Sequence, residues 1–551
     1  MSRRGGRRVK PADVDAALNG RENGWAPSWT WNGVVLLLAI GAFLRFHGLD
    51  RYPLPAHRDE LSNAYDSWSL LETGADRTGN ARPTVVRALG DSDYRPALYM
   101  WLTTIPMRIA GFSISAARIT STIAGMGSLL ILFLLARRMA GTGYALIALT
   151  FATLSPWHIT MSRLALEGAT LPLFFLILAL LLWHKAAAAR YYPFAVMAAA
   201  GLTLGIAANT YHAPRLVAPV LVLFMAFDVL RHKPRPMATV AGLAAAALIG
   251  ALPQIHFLLS DPAHFFGRAS DVVIRANNPF QFAGIMLSNL AANFGPRYLF
   301  SPNMVNVGMT SVRLLPVEIV FLYAGLLTMW KMQFDEPREF RYWLYAVLLV
   351  CMIPATLTRD LSTMRTSISV IVLPLFSAAG VVMIGHGARQ LGIGGKLYLA
   401  GAGAGIAASF AFVAYMYLYS ATANGHQSSH ALVRATQKVA TYENRYERVF
   451  VENDTLIHSE IYVAAFTRMH PREFQLADKE IVQWKGWDNF RRLGKYRFPM
   501  GEEVSRLSVT PAVGPATELY VTRRPLAGAR LLDSTAWNDD RYYISDNGPA
   551  R

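Results

Sequence analysis

Two shortages limit what this 551-residue chain can be, namely shortages of charged residues and of cysteine. Only 16% of the residues are charged and 53% are hydrophobic, whereas a soluble globular chain carries about 25% charged residues. The apolar residues fall in long runs, which excludes an ordinary soluble enzyme and a disordered chain. The single cysteine, Cys351, excludes an intrachain disulfide. These features indicate a protein that crosses a membrane several times.

The sequence also lacks the motifs of several common enzyme classes. It has no P-loop and no Gly-x-Ser-x-Gly turn, and its histidines do not show the spacing of metal ligands. Lys and Arg number 53 against 36 Asp and Glu, a net charge of +17. Many of these positive charges lie in short connections between apolar runs, which is typical of cytoplasmic loops of membrane proteins. The charge therefore does not predict a nucleic-acid partner.

The apolar runs are close to the length of about 20 residues that crosses a bilayer as a helix. The first run, Ala26 to Leu44, follows a basic cytoplasmic tail over residues 1–25 and is interpreted as an uncleaved signal anchor. Residues 97–111, broken by Pro106, are predicted to form an interfacial helix. With ten later runs, about eleven transmembrane helices are expected. The later runs cover 115–136, 142–157, 169–184, 192–210, 214–230, 237–258, 314–330, 342–357, 366–385 and 397–420.

The basic loops predict which segments lie outside the cytoplasm. With the N-terminus inside, three large segments are expected outside: a first loop near 46–114, a loop near 259–312 and the C-terminal region 421–551. The C-terminal region is polar, and it is predicted to be a small periplasmic α/β domain following a transmembrane domain over 26–420. Its strand-like runs are Arg448–Val451 and Glu518–Thr522, and its helix-like runs are Ala431–Tyr442 and Glu460–Arg468.

The first outer loop contains the most informative segment, His57 to Gly74. Its apolar residues recur at helical spacing, and Gly74 is a natural residue to follow a helix. This pattern predicts an amphipathic helix lying on the membrane surface, with Asp59 and Glu60 in its first turn. Acidic side chains in the first turn are stabilised by the positive end of the helix dipole, so the pair can be explained without a catalytic role. A catalytic role is the alternative interpretation.

These residues resemble those of polytopic glycosyltransferases with the GT-C fold, in the branch of protein O-mannosyltransferases and lipid A aminoarabinose transferases. The similarity begins with a first span, an Asp-Glu pair opening a helix, and a Thr-Gly turn. Further landmarks follow in the family's order over residues 30–390. They are Tyr94-Arg95-Pro96-Ala97-Leu98-Tyr99, Gly111-Phe112-Ser113 with Ala117-Arg118-Ile119, Ser155-Pro156-Trp157-His158 with Ser162-Arg163, and Met364-Arg365-Thr366 before Leu373-Pro374.

The resemblance implies transfer of a sugar from a polyprenyl-phosphate donor to an acceptor outside the cytoplasm, with inversion at the anomeric carbon. The acceptor is a lipid, a polysaccharide or a protein, and the setting is the inner (plasma) membrane. The catalytic pair would be Asp59, as general base or acceptor-orienting residue, with its neighbour Glu60. Because adjacent helical residues point about 100° apart, both need not enter the site.

Further roles follow from the same resemblance. The donor phosphate would be bound by Arg95, Arg215 and Arg365. Arg95 stands where aminoarabinose transferases carry Lys, and Ala97 replaces one of their prolines. Glu167 and Arg163 would assist the acceptor or a metal. A divalent cation, Mg²⁺ or Mn²⁺, held by Asp59 and Glu167 is an option that the residues leave open.

Simpler interpretations compete with these roles. Glu167 could form an i,i+4 salt bridge with Arg163, and Glu318, at the start of a span, could pair with Arg313. Many arginines, Arg268 among them, lie in the outer segments, where headgroup contact competes with a lipid-phosphate site.

Two other functions are kept as hypotheses. A transporter or flippase for a lipid-linked sugar would need ionisable residues at mid-membrane depth, but most charges lie at span ends. A non-catalytic assembly protein would tolerate Asn at position 59, whereas a transferase would lose on the order of a hundredfold in rate.

Overall fold

The computed structural model describes most of the chain outside the N-terminal tail. The described residues are 28–53, 57–189, 193–232, 236–301, 312–332, 334, 335, 337, 339–359, 361–423, 427–453, 458–484, 486–507, 509, 510, 512, 515–537 and 540–548. The predicted basic tail over 1–25 lies outside them.

Long apolar helices make up the larger part of the protein. Five of them are long and apolar enough to cross a membrane among the described residues, or six if the bent pair Thr363–Ile371 and Leu373–Gln390 is one span. Three shorter apolar helices also coincide with predicted spans. The prediction of a polytopic helical protein is confirmed, and the count of about eleven spans stays a prediction. The apolar helices are α1 (Ser28–Phe46), α4 (Ile114–Leu154), α6 (Leu171–Ala188), α7 (Phe194–Ala207), α8 (His212–His232), α9 (Pro236–Ser260), α13 (Glu318–Thr328), α14 (Phe340–Thr356), α16 (Leu373–Gln390) and α17 (Gly395–Ala423), in the numbering that includes the helices introduced below.

Helix α4 is two helices joined end to end. Its backbone leaves the helical region at Ala140 and Gly141, and Gly141 has φ 80° and ψ 177°. A positive φ of this size is accessible mainly to glycine. The break separates the predicted runs 115–136 and 142–157, directly after the basic pair Arg137-Arg138.

Short helices and a two-stranded sheet form connections between several of these long helices. The first loop forms α2 (Arg58–Thr73), β1 (Val85–Arg87), β2 (Tyr94–Pro96) and α3 (Leu98–Ala110). The 13 residues of α3 extend about 20 Å, too short to cross a bilayer. The other short helices are α5 (Pro156–Ser162), α10 (Pro262–Val272), α11 (Pro279–Phe294), α12 (Pro296–Phe300) and α15 (Thr363–Thr366), with 3₁₀ turns at Met329–Lys331 and Ser367–Ile371.

Helix α2 begins and ends as its sequence predicts. The His57 ring accepts a hydrogen bond from the Asp59 N–H at 3.2 Å, and the Glu60 carboxylate accepts one from the His57 N–H at 3.3 Å. Gly74 ends the helix in the left-handed conformation with φ 70°. Residues from Glu60 to Leu70 are buried on nearly every side of the helix. The prediction that α2 lies on the membrane surface stays a prediction. The C-terminal domain packs against part of the predicted apolar face, at Leu61 and Tyr65.

The C-terminal domain is an α/β unit, as predicted. Its mixed seven-stranded sheet has the order β4-β5-β6-β3-β7-β9-β8, and β3 runs parallel to β6 and β7. The predicted strands Arg448–Val451 and Glu518–Thr522 are present with the same bounds. The elements are α18 (Gln427–Tyr442), a 3₁₀ turn Glu443–Arg445, β3 (Arg448–Val451), α19 (Ser459–Phe466), α20 (Pro471–Leu476), β4 (Lys479–Trp484), β5 (Trp487–Leu493), β6 (Tyr496–Arg497), α21 (Glu502–Ser505), β7 (Glu518–Thr522), β8 (Arg530–Trp537) and β9 (Asp540–Asp546).

The domain shares its core with α2. Leu61 and Tyr65 belong to the same buried apolar cluster as the domain's own core. The Tyr65 hydroxyl donates to the Met469 carbonyl at 2.7 Å. Gln475 donates to Ser69, Thr73 and the Asp76 carbonyl at 2.9 to 3.1 Å. Helix α2 is therefore held between the membrane helices and the C-terminal domain, which fixes the position of its first turn.

Candidate active site

The Asp59 carboxylate lies at the rim of a polar cluster at the start of α2. Its side chain is 24% exposed, and Arg95 donates to it at 2.9 Å. Burial alone would raise the pKa of the Asp59 carboxyl, but the charges of Arg95, His57 and Arg58 outweigh it and hold the pKa well below its ordinary value. Asp59 is therefore an accessible, ionised carboxylate at neutral pH.

Arg95, on β2, is the centre of the cluster. Besides Asp59, its buried guanidinium donates to Asp93 at 2.9 Å and to the Asn63 side chain at 3.2 Å. Glu167 approaches its Nε at 3.9 Å. Although burial would lower it, the pKa of Arg95 is raised by these three carboxylates. Arg95 thus neutralises acidic groups of the site, a use of its charge that the sequence did not predict.

Glu167 lies on the other side of Arg95, in the loop before α6. The Asn63 amide donates to it at 2.8 Å. Burial raises the pKa of the Glu167 carboxyl, and the opposing effects of Arg95 and Asn63 do not cancel that rise. Two carboxylates with opposite pKa shifts therefore flank one guanidinium, an arrangement typical of acid–base sites.

Glu60 has a different environment from its neighbour. It is fully buried, and Arg118 of α4 donates to both of its oxygens at 2.9 Å. The Ala165 N–H donates to it at 2.8 Å. These contacts tie α2 to α4 and to the loop that carries Glu167. The geometry gives Glu60 a positioning role, and its predicted place in the catalytic pair stays a prediction.

Arg163 supports the backbone next to the site. It donates to the backbone carbonyls of Leu44, His47, Gly48 and Tyr52 at 2.8 to 3.0 Å. The predicted i,i+4 pair is wrong, since the partners of the Glu167 side chain are Asn63 and Arg95. Arg163 instead holds the turn that follows α1.

Arg215 and Arg365 lie near this cluster on other helices. The Arg215 guanidinium packs over Phe265 at 4.7 Å, and two of its buried nitrogens, Nε and Nη2, have no hydrogen-bond partner among the described residues. Burial raises the pKa of Tyr211, and Arg365 and Arg268 oppose that rise while Glu167 adds to it. Tyr211 therefore lies close enough to Arg365, Arg268 and Glu167 for their charges to affect its pKa.

The alternative pairing for Glu318 is wrong. Glu318 accepts from Ser377 at 2.7 Å, whereas Arg313 packs over the Tyr298 ring at 3.9 Å and donates to the Tyr298 carbonyl.

Comparison with known proteins gives the fold an independent basis. A family model described as dolichyl-phosphate-mannose-protein mannosyltransferase matches residues 94–257. The crystal structure of ArnT from Cupriavidus metallidurans bound to undecaprenyl phosphate aligns with a TM-score of 0.57 at 13% identity, covering 95% of this chain and 98% of that chain. Apo ArnT aligns with a TM-score of 0.55 at 14% identity, covering 94% and 98%. No curated protein sequence matches this chain significantly.

The chain has the GT-C fold. The resemblance to GT-C glycosyltransferases of the O-mannosyltransferase and ArnT branch, inferred from the ordered landmarks, is confirmed. The segment that the family model matches includes Arg95, Glu167 and Arg215. Asp59, Arg365 and the C-terminal domain lie outside it.

The carboxylates of the candidate site converge on the Arg95 guanidinium. Among the described residues, no group of three or more His, Cys, Asp or Glu side chains could hold a metal ion. Arg95 contacts both Asp59 and Glu167, the two residues suggested as metal ligands, and a cation between them would have to displace it. In this arrangement Arg95 lies between the two carboxylates, and the option of a divalent cation held by Asp59 and Glu167 stays a prediction.

The sequence did not indicate a specific role for two residues of the candidate site. Arg268 was one of many arginines predicted to lie outside the cytoplasm. In the structure its charge helps to lower the pKa of Asp93 and opposes the rise in the pKa of Tyr211. Trp487, from the C-terminal domain, lies 5.5 Å from the Arg268 guanidinium and 5.4 Å from that of Arg58. Because more than 200 positions separate Trp487 from Arg268 in the chain, no local pattern could have indicated the contact.

Proposed function

We propose that this protein is a multi-pass membrane glycosyltransferase that moves a sugar from a polyprenyl-phosphate donor to an acceptor outside the cytoplasm. One observation carries the proposal. An accessible, ionised Asp59 lies beside Arg95 and within reach of the charge of Arg58. Such a site has both a proton acceptor and cations for an anionic leaving group. ArnT, one solved structure with this fold, was crystallised with undecaprenyl phosphate.

The reaction we infer is a single displacement with inversion. The acceptor hydroxyl forms a bond to the anomeric carbon and gives its proton to a carboxylate. The bond between that carbon and the phosphate oxygen breaks, and the lipid phosphate leaves with the electron pair. A positioned carboxylate contributes about 10²–10⁴-fold in such a step.

Asp59 is the residue we assign to receive or orient the acceptor hydroxyl. It is the most exposed of the three carboxylates beside Arg95. The charges of Arg95 and Arg58 keep it ionised. Its low pKa makes it a weak base, so its main contribution is to align the hydroxyl through a charged hydrogen bond. Glu167, whose pKa is raised, is the stronger base and the second candidate for accepting the proton.

The departing phosphate needs cations that are not already neutralised. Arg95 is surrounded by Asp59, Asp93 and Glu167, so we assign it to orient carboxylates. Two Arg215 nitrogens have no hydrogen-bond partner in the described part of the chain. Arg365 is proposed on its position alone, since its charge acts on Tyr211, which Glu167 also affects. These two remain our proposed phosphate ligands, because preorganised cations stabilise a developing anion without reorganising.

The setting we propose is the inner (plasma) membrane, with the N-terminus in the cytoplasm and the C-terminal domain outside. The basic loops support this orientation. The class of the acceptor and the choice between a hexose and a pentose are left to experiment.

The decisive experiment compares the purified wild type with Asp59→Asn on a panel of radiolabelled polyprenyl-phosphate sugars. The assay measures sugar released from the lipid, with crude envelope material as acceptor. Asp50→Asn is the matched control, since Asp50 is 65% exposed in the turn after α1 and its ion-pair partner in the described part of the chain is Arg51. Turnover in the wild type and the control, with loss in Asp59→Asn, would support the proposal.

Two other results would contradict it. Equal turnover in all three proteins would remove Asp59 from the reaction and transfer the role to Glu167. Binding of the lipid-linked sugar without consumption by the wild type would favour the flippase hypothesis.

A further inference from the structure

The hairpin formed by β4 and β5 brings the C-terminal domain to the transferase site. Its turn lies against the first outer loop, where the Asp488 N–H donates to the Leu89 carbonyl at 3.0 Å. Arg87 bonds the Asp488 carboxylate at 2.8 Å. Gly90 packs so closely on Gly486 that a side chain at position 90 would overlap the Gly486 backbone. The hairpin tip is therefore fixed against the loop that carries Arg95.

This docking places Trp487 between residues of the site. The guanidinium carbons of Arg58 and Arg268 lie 5.4 and 5.5 Å from its ring centre. Both distances are within the range of about 6 Å for cation–π attraction. The charges of the two arginines also help to lower the pKa of carboxylates in the site. Arg58 has this effect on Asp59, and Arg268 has it on Asp93. One indole from the C-terminal domain thus contacts two cations that belong to the transmembrane side.

Neither cation has a carboxylate within ion-pair distance in the described part of the chain. Arg58 and Arg268 are half-buried, and the Arg58 Nε is buried without a hydrogen-bond partner there. Arg95, in contrast, is ringed by carboxylates. Two partly buried guanidinium groups held on one ring without a counter-ion form a receptive place for an anion, and Arg is well suited to phosphate.

We propose that Trp487 is a positioning residue through which the C-terminal domain completes the site, holding Arg58 and Arg268 to receive the phosphate of the polyprenyl-phosphate substrate. This inference rests on the proposed function. The domain is accordingly a working part of the transferase site. Trp487 orients the cations, and the arginines touch the phosphate.

The test measures equilibrium binding of radiolabelled undecaprenyl phosphate to the purified full chain. We expect Trp487→Ala to raise the Kd by about tenfold, because the two guanidinium groups lose the ring that orients them and must then be ordered when the phosphate binds. Trp487→Phe keeps an aromatic ring and restores most of the affinity. Gln475→Ala is the matched control, since it removes hydrogen bonds that dock the same domain on α2 without touching either arginine.

A double-mutant cycle separates positioning from simple packing. If Trp487 acts through Arg268, the effect of Arg268→Gln on the Kd is much smaller in the Trp487→Ala background than in the wild type. Additive effects, or a loss in Gln475→Ala equal to that in Trp487→Ala, would overturn the proposal. A wild type that neither binds the lipid nor consumes a donor would refute the proposed function itself, whereas normal wild-type binding with unchanged Trp487→Ala would refute the role of Trp487 alone.

Discussion

The different roles of Asp59 and Glu60 can be separated by measuring stability and turnover together. Glu60 is buried and paired with Arg118, whereas Asp59 is partly exposed. Removing one partner of a buried ion pair costs about 3–5 kcal/mol, because the other charge is left in a poorly solvated place. We therefore expect Glu60→Gln to destabilise the fold and Asp59→Asn to impair turnover.

The contacts of Arg118 refine the magnitude for Glu60→Gln. Its guanidinium also donates to the carbonyls of Leu49 and Pro53 at 2.7 and 3.0 Å, and these bonds survive the substitution. Gln can still accept the Ala165 N–H. The cost should consequently lie near the lower limit, at about 3 kcal/mol. For Asp59→Asn we expect about 1 kcal/mol or less, since the carboxylate is partly exposed and Arg95 keeps Asp93.

The assay is thermal unfolding of the purified protein in detergent at a fixed scan rate, together with donor turnover at a temperature where all variants are folded. Glu72→Gln is the matched control on the same helix, because Glu72 is 41% exposed. We expect a clear fall in apparent Tm for Glu60→Gln alone. A Glu60→Gln protein with unchanged Tm and abolished turnover would refute the positioning role and place Glu60 in the chemistry.

Four further outcomes are expected. If Asp59 serves the acceptor, kcat/KM should stay constant as the pH is lowered to about 4, the ordinary carboxyl pKa. The reason is that the pKa of Asp59 lies below that value. A fall in kcat/KM at higher pH that disappears in Glu167→Gln would identify Glu167 as the base. The same low pKa means that Asp59 stabilises the fold above its unfolded pKa and that this contribution is lost as the pH falls through the folded value. Arg215→Gln should raise the KM for the lipid donor by about tenfold with a smaller change in kcat, whereas Arg137→Gln, an exposed arginine of α4, should not; equal KM values in the two variants would remove Arg215 from the phosphate site. Treatment with EDTA should leave turnover essentially unchanged, because Arg95 occupies the position between Asp59 and Glu167; a loss reversed by Mg²⁺ or Mn²⁺ would show that a cation replaces it.

Local sequence determined the elements of this protein. The cap at His57 and the turn at Gly74 set the bounds of α2, and apolar length set the positions of the long helices. Alternation and composition were sufficient to find Arg448–Val451 and Glu518–Thr522 as strands. These features depend on neighbours within a few residues, which is why a single sequence reveals them.

Only the tertiary structure decided how charges are shared. Asp59 and Glu60 are adjacent in sequence, yet one faces Arg95 and the other faces Arg118, because a helix turns them apart and different segments pack on each side. Whether Glu167 pairs with Arg163 or faces Arg95 depends likewise on which segments meet at the outer ends of the helices. Trp487 reaches Arg58 and Arg268 across hundreds of residues, because the C-terminal sheet packs its core on α2. Such contacts arise from long-range packing and leave no periodic trace in the chain, so the sequence supplied the residues of the site and the fold assigned their partners.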